Sequence, residues 1–192
     1  MHFFIISINA QTTSSWPTET RYKKHYYPFL SKIASKQLEK DFQIRLWFNN
    51  GGLSKTSITT LLLITCIGKK WTATHFTFTK PARGSDTSIK TTQMEILTAS
   101  LDSLYNQLLR DSLLTLNSEK IGTILDSKGI YSYNWHDNPC PVYSIEIITP
   151  TKQLMLNYPC PKSFYDELKI EEFEKPNKIV TALLSLIGRS PC

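Results

Sequence analysis

The sequence predicts an α+β domain: an antiparallel sheet of five or more strands built from two hairpin units, with N-terminal, central and C-terminal helices packed mainly on one face. Three observations predict it. Two pairs of β-branched or alternating segments are each joined by a tight turn, at Gly68-Lys69 and at Pro150-Thr151. A leucine stripe at helical spacing lies between the two pairs, and a second apolar stripe closes the chain. Strand runs followed by separate helices give α+β rather than alternating α/β architecture.

Taken in order, residues 28 to 40 open with Pro28, suited to a first helical position, and carry Phe29, Leu30, Ile33, Ala34, Gln37 and Leu38 on one face, which predicts the N-terminal helix. Phe42, Ile44, Leu46 and Phe48 alternate with Gln43, Arg45 and Trp47, the period of a half-buried strand, and Asn49-Asn50-Gly51-Gly52 supplies a turn. Ile58 to Ile67 is almost continuously apolar or threonine and reads as a strand covered on both faces. With Gly68 and Lys69 at the hairpin centre, Cys66 lies opposite Trp71, Ile64 opposite Ala73 and Leu61 opposite Phe76. Residues 80 to 92 read as a polar surface connection whose cations also make it a candidate binding loop. Thr92 and Glu95 have capping-box spacing, and Met94, Leu97, Leu101, Leu104 and Leu108 form the central helix.

The segment from 113 to 138 is less regular, with a turn at Asp126-Ser127-Lys128-Gly129 and a short strand from Ile130 to Tyr133. Val142 to Ile148 and Lys152 to Tyr158 form the second hairpin, pairing Ile147 with Leu154, Ile145 with Leu156 and Tyr143 with Tyr158, and leaving Glu146 and Asn157 on the other face. Ser163 and Asp166 suit the cap of a short helix. Pro176-Asn177 opens a final one, whose Ile179, Val180, Leu183, Leu184 and Ile187 are stopped by Gly188.

A chain of 192 residues with 41% apolar and 20% charged positions has the composition of one folded domain, and its four cysteines are too few for a disulfide scaffold. No apolar run approaches the ~20 residues of a membrane-spanning helix, so no integral membrane segment is expected. Residues 1 to 10 resemble the tail of a secretory signal, an apolar stretch ending at Ala10 before Gln11, although the basic start is missing and the apolar part is short. Residues 11 to 27 are a polar, basic-aromatic lead-in, and residues 28 to 192 form the single α+β domain. Export to the periplasm or the medium is the expectation. A first strand in a cytoplasmic protein is the alternative.

The charge of +6 is unevenly placed. Residues 1 to 92 hold 13 Lys/Arg against four acids, a balance of +9, and residues 93 to 192 hold nine against 12, a balance of −3. The two halves can complement each other within one fold or between copies in a homo-oligomer, or the basic half can meet an anionic partner such as an anionic surface, a polysaccharide or an acidic protein. The local support for the second reading is Arg21-Tyr22-Lys23-Lys24-His25-Tyr26-Tyr27, where cations alternate with aromatics able to stack. Arg21, Lys23, Lys24, Tyr26 and Arg83 are the candidate ligand-binding residues. The same composition also suits a solvated lead-in.

Cys140 and Cys160 each lie between prolines at opposite ends of the second hairpin, which brings those ends together and predicts a disulfide in an exported protein. In an ideal ladder the two thiols point to opposite faces, and the prolines interrupt that ladder. Cys66 reads as packing, and Cys192 is terminal. His136, Asp137, Cys140 and Cys160 share a corner but lack zinc-ligand spacing, so neither metal nor cofactor is predicted. His75 faces Leu62 and reads as a hydrogen-bonded or exposed structural histidine. GxSxG, HExxH and glycine-rich phosphate loops are absent. The remaining catalytic candidates are His136, Asp137 and Cys140, and adjacent His and Asp on an extended segment point in opposite directions. Asp166, Glu167, Glu171, Glu172 and Glu174 complement the dipole of the last helix. The sequence therefore favours an exported, non-catalytic interaction or ligand-binding domain. The alternatives are a small hydrolase using the Trp135–Cys140 corner and a cytoplasmic nucleic-acid-binding protein.

Overall fold

The structure, a computed structural model, describes residues 42–50, 56–81, 88–94, 98–118, 120–128, 130, 141–151 and 153–191. Among them are six strands: β1 (Phe42–Asn50), β2 (Thr56–Ile67), β3 (Lys70–Pro81), β4 (Ser88–Met94), β5 (Val142–Ile148) and β6 (Gln153–Pro159). They form one sheet in the order β4-β3-β2-β1-β5-β6, with every neighbouring pair antiparallel. The helices are α1 (Thr98–Arg110), α2 (Ile121–Ser127), α3 (Pro161–Asp166) and α4 (Glu174–Ser185). The fold is α+β.

The β2–β3 register pairs Cys66 with Trp71, Ile64 with Ala73 and Leu61 with Phe76, as the sequence predicts. Its two-residue turn holds both Gly68 (φ 53°) and Lys69 (φ 67°) in the left-handed region. That is the type I′ geometry matching the right-handed twist of the strands, and at Lys69 it sets a Cβ against the following carbonyl. The β5–β6 register pairs Ile147 with Leu154, Ile145 with Leu156 and Tyr143 with Tyr158. At the open end of that hairpin the Cys160 N–H donates to the Pro141 carbonyl at 3.2 Å. Cys160 then leaves the ladder with φ 36°, a left-handed conformation unusual for a residue before proline.

One face of the sheet and the helices share a single core. Ile44, Leu46, Leu62, Ile64, Ala73, Ile145, Ile147, Leu156 and Tyr158 join Leu101 and Leu108 of α1, Phe164 of α3 and Ile179, Val180 and Leu183 of α4. Each large aliphatic side chain fully buried there contributes ~1.5–3 kcal/mol. Arg189 follows α4 through Gly188 (φ 65°), whose N–H donates to the Ser185 carbonyl while that of Arg189 donates to Leu184. These bonds satisfy carbonyls at the helix end.

Several local expectations are corrected. β1 is not half-buried: Gln43, Arg45 and Trp47 are as shielded from solvent as Ile44, Leu46 and Phe48. Residues 88 to 92 are not part of a loop, because β4 begins at Ser88 and pairs Ile89 with Phe78, Thr91 with Phe76 and Thr92 with His75. Thr92 therefore caps no helix, and α1 starts only at Thr98. β-branched residues beside an unpaired strand edge gain ladder hydrogen bonds there, which outweighs a capping signal. The irregular segment carries a 3-10 turn at Leu113–Thr115 and α2, whose Ile121 and Leu125 are buried. Ile130 is not in a strand; its N–H donates to Leu125 instead, and residues 131 to 133 lie outside the described residues. Ser163 caps nothing either: α3 opens at Pro161 behind Cys160. α4 begins at Glu174, with Pro176 in its first turn, where no intrahelical donor is needed.

Candidate functional site

Strand alternation places Gln43, Arg45 and Trp47 on the sheet face opposite Ile44, Leu46 and Phe48. The registers then set Arg45 beside Leu63 on β2 and Glu146 on β5, and Glu146 beside Met155 on β6. A polar chain crosses four strands on this face. The Gln43 Nε2 donates to Thr65 Oγ1 at 3.0 Å, the Arg45 Nε to Gln43 Oε1 at 2.8 Å and the Arg45 Nη1 to Glu146 Oε2 at 3.0 Å. Gln153 Nε2 donates to the other Glu146 oxygen. One step along the strands, Ser144 Oγ donates to Asn157 Oδ1 at 2.6 Å. The row lies beside Trp47, Leu61, Leu63, Phe76 and Phe78, all buried, with Trp47 stacked on Phe78 at 6.0 Å between ring centroids. These residues fall outside the core that the helices complete.

Arg45 is 4% exposed and Glu146 1%, so both charges have left water. Such a pair persists when further hydrogen bonds meet its lone pairs and protons, and Gln43 and Gln153 each supply one here. Donors thus engage both oxygens of the Glu146 carboxylate, which orients the guanidinium across the β1–β5 pair. The partners are 101 residues apart, so no local spacing in the sequence suggests the pairing. The available signal is parity alone: two alternating strands each with one charge on the same face.

On the helix-bearing face, Trp71 Nε1 donates to Asp102 on α1 at 2.5 Å, beside a cluster in which Phe42 meets Tyr105 at 4.9 Å. Burial, and to a smaller degree Cys66, pushes the Tyr105 hydroxyl above its ordinary pKa, and burial does the same more strongly at Tyr158. At the other end of this face the expectation for His75 is corrected. It does lie opposite Leu62, but its Nε2 is buried without a hydrogen-bond partner, as is Oγ1 of Thr60. Burial first, and then the charge of Arg189, lowers the His75 pKa, so the ring is neutral at pH 7.

Of the residues singled out from the sequence, Arg21, Lys23, Lys24, Tyr26, Arg83, His136, Asp137 and Cys140 lie outside the described residues. Cys160 is fully buried, and Cys66 is buried in the helix-bearing core. Among the described residues no three His, Cys, Asp or Glu side chains are grouped to hold a metal, and no helix is long and apolar enough to cross a membrane. Glu174 accepts from Lys178 at 2.7 Å in the exposed first turn of α4. No protein-family model matches the chain, and no curated protein matches it in sequence.

Proposed function

We propose that the chain is an exported, non-catalytic interaction or ligand-binding domain whose partner is anionic. The observation that carries this reading is the charge partition, +9 over residues 1 to 92 and −3 over the remainder. Arg45, one of the 13 cations in that first half, is neutralised inside the fold by Glu146, an acid of the second half. Lys69 and Lys70, at the β2–β3 turn, are exposed and belong to the same basic half. Arg21, Lys23, Lys24, Tyr26 and Arg83 remain the residues that would meet the partner. The two hairpin units, with helices mainly on one face, serve as the scaffold.

Cys140 and Cys160 form a disulfide in this reading. Its support is the hydrogen bond from Cys160 to Pro141, which holds the two ends of the hairpin together, and the departure of Cys160 from the ladder. With φ 36°, Cys160 does not follow the alternation of an ideal ladder, which would point the two thiols to opposite faces. The partner reading is tested by retention of the full chain on a sulfated polysaccharide matrix across a salt series, beside a variant carrying Lys23→Glu, Lys24→Glu and Arg83→Glu. Retention that falls with salt and is lost in the variant supports an anionic partner at this segment. Equal retention of both proteins contradicts it. Tight binding of duplex DNA with a steeper salt dependence would favour the nucleic-acid reading instead.

A further inference from the structure

We propose that β4 is a recognition strand and that its partner is an acidic, extended polypeptide pairing along its outer edge. Such a partner is one case of the anionic partner proposed above, and the assignment rests on that reading. The sequence marks residues 80 to 92 as a polar, cationic candidate binding loop, and the structure turns the later part of it into an edge strand. All seven residues from Ser88 to Met94 pair with β3 on one side, and among the described residues no strand pairs with them on the other. About half of the N–H and C=O groups of such a strand point away from its sheet, where they are a template for one further strand. β4 carries neither proline nor glycine to interrupt that template.

The opposite edge, β6, is partly closed. Cys160, next after β6, donates its N–H to the Pro141 carbonyl, so alternation turns the N–H groups of even-numbered β6 residues toward β5 and those of odd-numbered ones outward. Of these outward positions, Asn157 gives its N–H to Ser118 Oγ at 3.2 Å, and Pro159 has none to give. Edges are blunted by such devices, and β4 is the less protected of the two. Charge then selects what β4 would accept. Residues 80 to 94 hold Lys80, Arg83 and Lys90 against Asp86, a balance of +2. A second copy would set this net positive segment against itself, which opposes self-pairing across the edge, whereas an acidic strand would bring carboxylates beside Lys90. In strand addition the backbone bonds give affinity and the side chains give selection. A sulfated polysaccharide has the charge but no peptide ladder, so it would leave this edge unpaired.

The experiment adds to the full chain a blocked peptide alternating glutamate and valine, as long as β4, at constant ionic strength, and follows amide hydrogen exchange at residues 88 to 94. Binding should saturate and slow exchange there by about ten-fold. Methylating alternate peptide nitrogens in the two possible phases gives the sharper comparison: with the methyl groups facing β4 binding should be lost, and with them facing solvent it should survive. Lys90→Glu should weaken binding by about ten-fold, since an attractive cross-strand pair becomes a repulsive one. Exchange in β2 as slow in this variant as in the parent shows that it still folds, and the two methylated peptides test the parent alone. Equal binding of both methylated peptides, or binding that leaves exchange at residues 88 to 94 unchanged, overturns strand pairing. So does exchange there that slows with protein concentration in the absence of peptide, which assigns the edge to a second copy. A chain retained on the sulfated matrix that does not bind the peptide overturns this assignment and leaves the anionic-partner reading standing; a chain that binds neither overturns both.

Discussion

Arg45 and Glu146 show how a charge can be structural: each is held by the other and by a glutamine, Gln43 for the guanidinium and Gln153 for the carboxylate. Removing one partner strands the other in a site with almost no access to water, so Arg45→Met alone should cost about 3–5 kcal/mol of unfolding free energy. Arg45→Met with Glu146→Leu should recover most of that loss, and urea unfolding of the two variants checks it. His75 gives a prediction with a pH sign. Its pKa in the folded chain lies below the ordinary value, about 6.5, so below that value the unfolded chain binds more protons and stability falls on acidification. The contribution is fully present above about pH 6.5 and is lost as pH falls toward the lowered folded pKa. His75→Asn should flatten the denaturation midpoint over that window relative to the parent. The partial exposure of the ring keeps the effect small. Glu146 was indistinguishable from any other acid in the sequence because its role depends on a strand more than a hundred residues away, whereas the placing of His75 opposite Leu62 followed from the hairpin turn alone.

At the scale of elements, α1 packs through Leu101, Leu104 and Leu108, all buried, while the neighbouring Leu109 is exposed. Leu108→Ala should therefore cost ~2–5 kcal/mol and Leu109→Ala no more than about 0.5 kcal/mol, measured by thermal or urea unfolding. Gly188→Ala should destabilise by ~1 kcal/mol, since its φ of 65° suits glycine, although the space around its missing Cβ is open. The hairpins were legible because turn residues and apolar partners fix register locally. β4 was not: its Thr91 and Thr92 look like the lead-in to a helix, and only their pairing with Phe76 and His75 on the β3 edge that faces away from β2 draws them into the sheet. The short helices between Leu113 and Ser127 carry too few turns for a helical period to register in sequence. The alternation in β1 gave the correct faces and the wrong environment. Polar side chains on a strand normally indicate solvent, and here they satisfy one another instead.

For the molecule as a whole, an antiparallel sheet whose strand β1 is buried on both faces, with long-range pairing of β1 to β5, makes the two halves of the chain interdependent. Their opposite charge balances meet inside the fold where Arg45 pairs with Glu146, and the anionic partner proposed above would be met by other cations of the first half. Where that partner is to be sought depends on the compartment, and an oxidising compartment would also be needed for the proposed Cys140–Cys160 bridge to persist. Export is tested most directly by the intact mass of the protein isolated from its native host, after alkylation in denaturant without reductant. The mass predicted is that of a chain beginning at Gln11 with Cys140 and Cys160 unmodified. A chain retaining Met1, with both of those cysteines alkylated, would contradict export and the bridge together.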